Sequence, residues 1–419
     1  MNRMQALILQ INDTLENNIA LMYKSVFIGE TASILKKLGL SVCVCDPMAE
    51  QKNLLDLINL FCMKPELVIF VADVNQARVT KRVAEYCKAC SKKTKIMVIG
   101  RATTFIPQYF MRKPFDAVHI SGDREAAIIS FVQYLKGNIK KQDIINLCIN
   151  ENGAFSISKN VEWLEPELWQ VPDLSCLPIE AYKRLNNIQH PDRKLVLGIT
   201  SMKGCNYGCK YCGASLEEGK KVRYGDVETI INWANTIDFD CLIQLWSPDV
   251  LNSLSWLEKF VNMYKEKRSN FSWRGVARLA SVDEAKIKLI KEVNCDEISI
   301  GIEMIKKDSC RSLKGDLSQL FDAIELFGKY DITLKCLLML GYPGFNLDDV
   351  RYTIDYMNKY NLSYRITGYT PLHNLLDIED EKLDKIMIEN YDRRLFYNET
   401  EIDSELFYKI ISSNGETLI

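Results

Sequence analysis

Along this chain, short apolar runs alternate with longer segments whose apolar residues recur at helical spacing, the signature of repeated βα units. In the first 135 residues, 6–11, 41–45, 67–72, 96–99 and 117–120 read as strands, while 30–38, 54–61, 78–90 and 125–135 read as helices. Short buried strands joined by helices predict a doubly wound, Rossmann-like parallel sheet. In such sheets, ligands bind outside the carboxyl ends of the strands. The fingerprint G-x-G-x-x-G is absent, so no nicotinamide or flavin site of that type is predicted.

The alternation breaks down between about residues 137 and 193. A hairpin is expected across 146–158, with Asn152-Gly153 as its turn. A linker punctuated by Pro166, Pro172, Pro178 and Pro191 follows, with Trp163 and Trp169 anchoring it by burial. Regular alternation then resumes, with strands expected at 195–200, 241–246, 272–276, 297–300, 335–340 and 364–369. Six βα units predict a partial (β/α)6 barrel, whose chemistry belongs at the carboxyl ends of its strands. The expected organisation is an α/β chain with a Rossmann-like domain at 1–136, a linker with a short hairpin at 137–193, the partial TIM barrel at 194–376 and a charged helical extension at 377–419.

Composition narrows the function classes. With 419 residues there is material for two or three cores. A formal net charge of −2 carries no global footprint for nucleic acid. No apolar stretch approaches membrane-spanning length. Fourteen cysteines without a secretory signal pattern predict a reducing, cytoplasmic setting. Only three histidines occur, far apart, so histidine-based metal or nucleophilic sites are poorly supported.

Candidate chemistry concentrates in residues 204–213, Gly-Cys-Asn-Tyr-Gly-Cys-Lys-Tyr-Cys-Gly, directly after the strand at 195–200. Cys205, Cys209 and Cys212 have the spacing C-x3-C-x2-C, compact enough to present three thiolates to one metal cluster. Iron–sulfur clusters are usually closed by four thiolates. Three therefore leave one iron open, and an open position is what a metal centre needs to bind and activate a substrate. Other close cysteines read differently: Cys87 and Cys90 lie in a helix with no second pair at zinc spacing, and Cys43 and Cys45 alternate in a strand as core residues.

This loop, with Tyr211 before its third cysteine, resembles that of the radical S-adenosylmethionine (SAM) enzymes. The resemblance implies a [4Fe–4S] cluster on Cys205, Cys209 and Cys212, SAM on the open iron, and Tyr211 against the adenine. Further SAM contacts implied are Ser247 and Asp249 after the second barrel strand, Arg278 after the third, Glu303 in Gly301-Ile302-Glu303, and Gly341 in Gly341-Tyr342-Pro343-Gly344. For Asp249 an equally good reading is a cap on the following helix. Arg223-Tyr224 match a frequent family element of uncertain role. For Lys203 the simplest reading is an exposed lysine, with a lowered thiolate pKa or attraction of the SAM carboxylate as its functional counterparts.

The first domain resembles the cobalamin-binding-type domain that precedes many radical SAM cores. Gly39, Asp46, residues 65–69 and 98–100, Asp116, Gly122, Asp123 and Glu125 carry that likeness, and it nominates Gly100 and Gly122 as cofactor-binding. Two departures bear on it: Arg101 stands where a second glycine is common, and the Asp-x-His-x-x-Gly cobalt-ligand motif is missing. The implied activity is reductive cleavage of SAM to a 5′-deoxyadenosyl radical. With cobalamin, methylcobalamin would then supply a methyl group to an unactivated carbon of a natural-product or peptide substrate. A flavodoxin or ferredoxin would donate electrons, with no nucleic-acid or membrane partner. The alternatives are a cobalamin-independent isomerase, dehydratase or ring-forming enzyme with a vestigial first domain, and a non-catalytic iron–sulfur protein.

Overall fold

The computed structural model describes residues 5–11, 20–309, 311–369, 372–376, 378–389 and 402–418. The chain forms two compact units. The first comprises residues 1–199, 203–225 and 372–388, and the second residues 200–202, 226–371 and 389–419.

The first unit is built on seven strands: β1 (Ala6–Leu9), β2 (Val42–Cys45), β3 (Leu67–Val71), β4 (Lys95–Ile99), β5 (Ala117–His119), β6 (Leu147–Glu151) and β7 (Ala154–Ile157). Their order is β2-β1-β3-β4-β5-β6-β7. The first five run parallel, with helices Ala20–Lys37, Leu54–Cys62, Ala77–Cys90 and Arg124–Leu135 among the connections. Residues 6–9 are fully buried and β3 is buried throughout, as strands covered on both faces require. The strand expected to reach Ile11 stops at Leu9, opposite Cys45, the last residue of β2 before Asp46-Pro47; a proline cannot continue a ladder.

The hairpin expected within the linker is part of this sheet: β6 pairs antiparallel with β5, and β7 with β6. Asn152 (φ 53°) and Gly153 (φ 94°) make its turn, with both residues left-handed as a primed turn demands. The helix expected from residue 30 starts at Ala20. Helix Asp380–Glu389, within the expected extension, also belongs to this unit up to residue 388, and Arg112 Nη1 donates to both Asp384 carboxylate oxygens at 2.7 Å. Residues 377, 390–401 and 419 of that extension lie outside the described residues.

The chain leaves the first unit through β8 (Leu195–Thr200), and short strands β9 (Met202–Lys203) and β10 (Arg223–Tyr224) flank the cysteine segment. The second unit then adds β11 (Cys241–Trp246), β12 (Ser272–Ala277), β13 (Cys295–Glu303), β17 (Thr333–Leu340) and β18 (Ser363–Gly368). The sheet order β18-β17-β13-β12-β11-β8 follows the sequence order, as in a half-barrel. Helices Val227–Asn235, Leu254–Glu266, Glu284–Lys291, Leu317–Lys329 and Leu347–Lys359 connect the strands. Four begin on side-chain caps from Asp226, Ser253, Asp283 and Asn346. Alternation puts Trp273, Gly275 and Ala277 on the buried face of β12, with Trp273 edge-on to Phe260 at 5.6 Å. Between β13 and the next helix lies an unforeseen ribbon of β14 (Ile305–Lys306), β15 (Arg311–Ser312) and β16 (Gly315–Asp316). Among the described residues no helix is long and apolar enough to cross a membrane.

Candidate functional site

The cysteine segment folds onto the first unit. Cys205, Cys209 and Cys212 are half-buried, and none of them is in a disulfide. The Cys205 N–H donates to the Gly219 carbonyl (2.9 Å) and the Cys212 N–H to the Cys209 carbonyl (3.0 Å), which closes the loop at both ends. Gly204 (φ 85°) enters it where a side chain would strike the Lys221 carbonyl. Its N–H donates to Glu218 Oε2 at 3.2 Å, and burial, with the Glu217 charge beside it, raises the Glu218 carboxyl to about 7. Tyr211 is half-buried. Among the described residues no three histidine, cysteine or carboxylate side chains converge as on a single metal ion. A cubane asks for something else, because each thiolate binds a different iron. A three-thiol donor set without carboxylates or imidazoles suits such a cluster by its softness.

Both flanks of the loop are held by buried charges. Lys203, expected on the surface, is buried, because Glu125 receives its ammonium at 2.6 Å and Trp169 covers it at 4.8 Å. Arg223 forks onto Asp123 (2.5 and 3.1 Å) and also donates to the Leu164 and Glu218 carbonyls at 2.6 and 2.8 Å. Trp163 and Trp169 lie within 5.6 Å of its guanidinium. Their aromatic faces thus hold cations as well as anchoring the segment. Burial opposes ionisation of Glu125, but the charges of Arg124 and Lys203 outweigh it and hold the carboxyl well below its ordinary range. The sequence reading missed this quartet. The available signal was an acidic Gly-Asp-x-Glu motif in one domain and a lone lysine and arginine flanking a loop in another.

Gly100 and Gly122 lie at the ends of β4 and β5, yet the fold itself explains both. A Cβ on Gly100 (φ 112°) would lie 2.5 Å from the Ala72 carbonyl oxygen, and one on Gly122 (φ 70°) would strike the Asn146 amide. Arg101 turns to Glu217 at 2.8 Å. The order β2-β1-β3-β4-β5 has its topological switch between β1 and β3, where doubly wound sheets of this order bind ligands. Gln10, just past β1, is buried there with Oε1 making no hydrogen bond.

In the second unit the remaining candidates lie at or just past the carboxyl ends of strands. Ser247 is buried and its Oγ makes no hydrogen bond. Asp249 caps no helix: Oδ1 accepts from the Arg278 N–H (3.3 Å) and Oδ2 from the Ser281 hydroxyl (2.5 Å), tying β11's end to the turn after β12. Burial raises its carboxyl despite these bonds. Ser253 caps the following helix instead. Glu303 ends β13 in the left-handed region (φ 67°), where a non-glycine residue is strained, and Lys314 from the ribbon lies 3.6 Å from its carboxylate. Gly341 turns the chain after β17 at φ 91°, and Tyr342 stacks edge-on against Tyr369 at 5.1 Å.

Residues 199–357 match the radical SAM superfamily, so this part of the chain is a radical SAM domain. An uncharacterized methyltransferase of Pyrococcus horikoshii is 23% identical over 341 residues, covering 79% of this chain and 72% of that protein. The radical SAM methyltransferase TsrM of Kitasatospora setae, solved with cobalamin and a [4Fe–4S] cluster bound, superposes with a TM-score of 0.68 at 15% identity, over 87% of this chain and 75% of that one. The cobalamin-dependent SAM radical enzyme OxsB, solved with aqua-cobalamin and SAM, gives 0.69 at 16% identity, over 99% of this chain and 61% of that one. The fold expected from the sequence, a Rossmann-like sheet followed by a parallel half-barrel, is the fold these enzymes share.

Proposed function

We propose that the chain is a cobalamin-dependent radical SAM C-methyltransferase acting on an unactivated carbon of a small molecule or peptide. The observation that carries the radical half is the loop of three cysteines outside any disulfide, Cys205, Cys209 and Cys212, inside the matched domain. Cys205, Cys209 and Cys212 would hold a [4Fe–4S] cluster, which when bound would supply the electron for reductive cleavage of SAM. This chain's own work is to bind, orient and shield, because such cofactors carry the hard chemistry. The hydroxyl of Ser247 is a free acceptor for the SAM ammonium. Glu303, held in a strained backbone, offers a second polar contact. Arg278 presents a planar fork to a carboxylate, with its backbone fixed by Asp249.

The cobalamin half is supported by the first unit's strand order and by its likeness to enzymes solved with that cofactor. The unpartnered Gln10 oxygen at the switch point suits the amide-rich rim of a corrin, and bound cobalamin would serve as methyl carrier. A reading without cobalamin is favoured by one observation: internal packing by itself already requires glycine at 100 and 122. Anaerobic reconstitution with iron, sulfide and hydroxocobalamin, followed by desalting, decides between them. Cobalt retained near one per chain supports the methyltransferase. Iron near four per chain without cobalt leaves a hydrogen-abstracting radical SAM enzyme with a vestigial first domain.

A further inference from the structure

Asp123 and Glu125 open helix Arg124–Leu135, with Asp123 at its N-cap. Asp123 makes no capping bond to the first turn. Its oxygens go instead to Arg223 and to the Leu164 N–H at 2.8 Å. Glu125 reaches Lys203, which precedes the first cysteine by two residues, while Arg124 pairs with Glu30 at 2.7 Å and lies 3.3 Å from the same Glu125 oxygen. The two carboxylates, both in the helix's opening turn, therefore grip the two ends of the cysteine segment. All four side chains are within 3% of complete burial.

An ion pair taken fully out of water gains little net stability, but removing one partner strands a buried charge and costs heavily. Such a pair is weak as glue and strong as a register pin. The rest of the contact is built around it. Asn146 donates to the Asp123 and Glu162 carbonyls at 3.0 and 2.8 Å, Gly122 is kept free of a side chain so that Asn146 fits, and Leu164 returns to Arg223.

We propose that Asp123–Arg223 and Glu125–Lys203 are a positioning device that fixes the cysteine loop to the first unit, and that this unit is needed to hold the loop whether or not it binds cobalamin. The proposal rests on reading the loop as the cluster site. It gives the Gly-Asp-x-Glu motif and the Arg-Tyr element a common role, that of partners.

The test uses the full chain. Glu125→Gln strands the buried Lys203 ammonium and Lys203→Met leaves Glu125 with the longer Arg124 contact alone, while the double variant Glu125→Leu/Lys203→Met removes both charges. In the metal-free protein, tryptic cleavage at Lys210 and Lys220 reports how firmly the loop is held. Both single variants are expected to be cut about tenfold faster than wild type through local opening, and the double variant to return toward the wild-type rate. After anaerobic reconstitution, the single variants should lose iron faster to a chelator and broaden the electron paramagnetic resonance of the reduced cluster, and the double variant should reverse both. Circular dichroism keeps global unfolding apart from loop release. Single variants that fold, resist trypsin and hold iron as wild type does would overturn the proposal. A wild type that takes up no more iron than Cys205→Ser would instead overturn the cluster reading, and the proposal with it.

Discussion

Gly100 stands where a cobalamin-type domain is expected to approach its ligand, yet its backbone is dictated by the protein. At φ 112° and ψ −173° it occupies a region open essentially to glycine alone. A Cβ there would sit 2.5 Å from the Ala72 carbonyl oxygen, which itself accepts from the Ala102 N–H at 3.1 Å and so cannot move freely. The backbone region costs about 1–3 kcal/mol, and overpacking against fixed backbone adds about 1–3 kcal/mol more. Gly100→Ala should thus destabilise the cofactor-free protein by about 2–6 kcal/mol, which for a unit of this size lowers Tm by roughly 10 °C. Gly39 is the control, since at φ 82° it has nothing within 4 Å of its would-be Cβ. Gly39→Ala should cost only about 1–2 kcal/mol, the ordinary left-handed penalty. The assay is thermal unfolding of the metal- and corrin-free protein, followed by circular dichroism. A Gly100→Ala protein as stable as wild type that fails only to retain cobalamin would refute the reasoning, and would return Gly100 to the ligand.

Other outcomes follow from single contacts. Ser247→Ala removes a buried hydroxyl with no partner, so Tm should hold or rise while SAM binding, read by equilibrium dialysis, weakens about five- to tenfold, the loss of one hydrogen bond. Trp273→Ala deletes a fully buried ring and its 2.8 Å bond to the Val293 carbonyl, and should cost about 3–5 kcal/mol in urea unfolding. Burial lowers the His119 imidazole to about 4 from 6.5. The unfolded chain therefore takes up its proton first as pH falls, so this ring's contribution is complete above pH 6.5 and is lost towards pH 4, by roughly 3 kcal/mol in all. Urea midpoints for wild type should drop across that window, and those of His119→Gln should drop less.

The strands at 195–200 and 241–246 were readable to the residue, because each is a buried parallel strand bounded by polar residues. Residues 304–316 were not, since two-residue strands are too short for alternation to register. The first half of helix Ala20–Lys37 was hidden for a related reason: its apolar residues do not fall on one helical face. At the candidate site, local spacing announced the cysteine loop, but its supports are encoded at a distance. Glu125 and Lys203 are 78 residues apart, and Asp123 and Arg223 are 100 apart. No window along the chain contains both partners, so Lys203 could only look like a surface lysine. Asp249 fitted a helix-cap pattern for the same reason, because its true partners follow the next strand.

The central claim is that Cys205, Cys209 and Cys212 hold a cluster that cleaves SAM. Its most direct test is to incubate the anaerobically reconstituted protein with SAM and a low-potential reductant, and to measure 5′-deoxyadenosine by mass spectrometry against the three Cys→Ser variants. The wild type should form 5′-deoxyadenosine and each variant none. Iron-loaded wild type that leaves SAM intact, or a serine variant that matches it, would contradict the account.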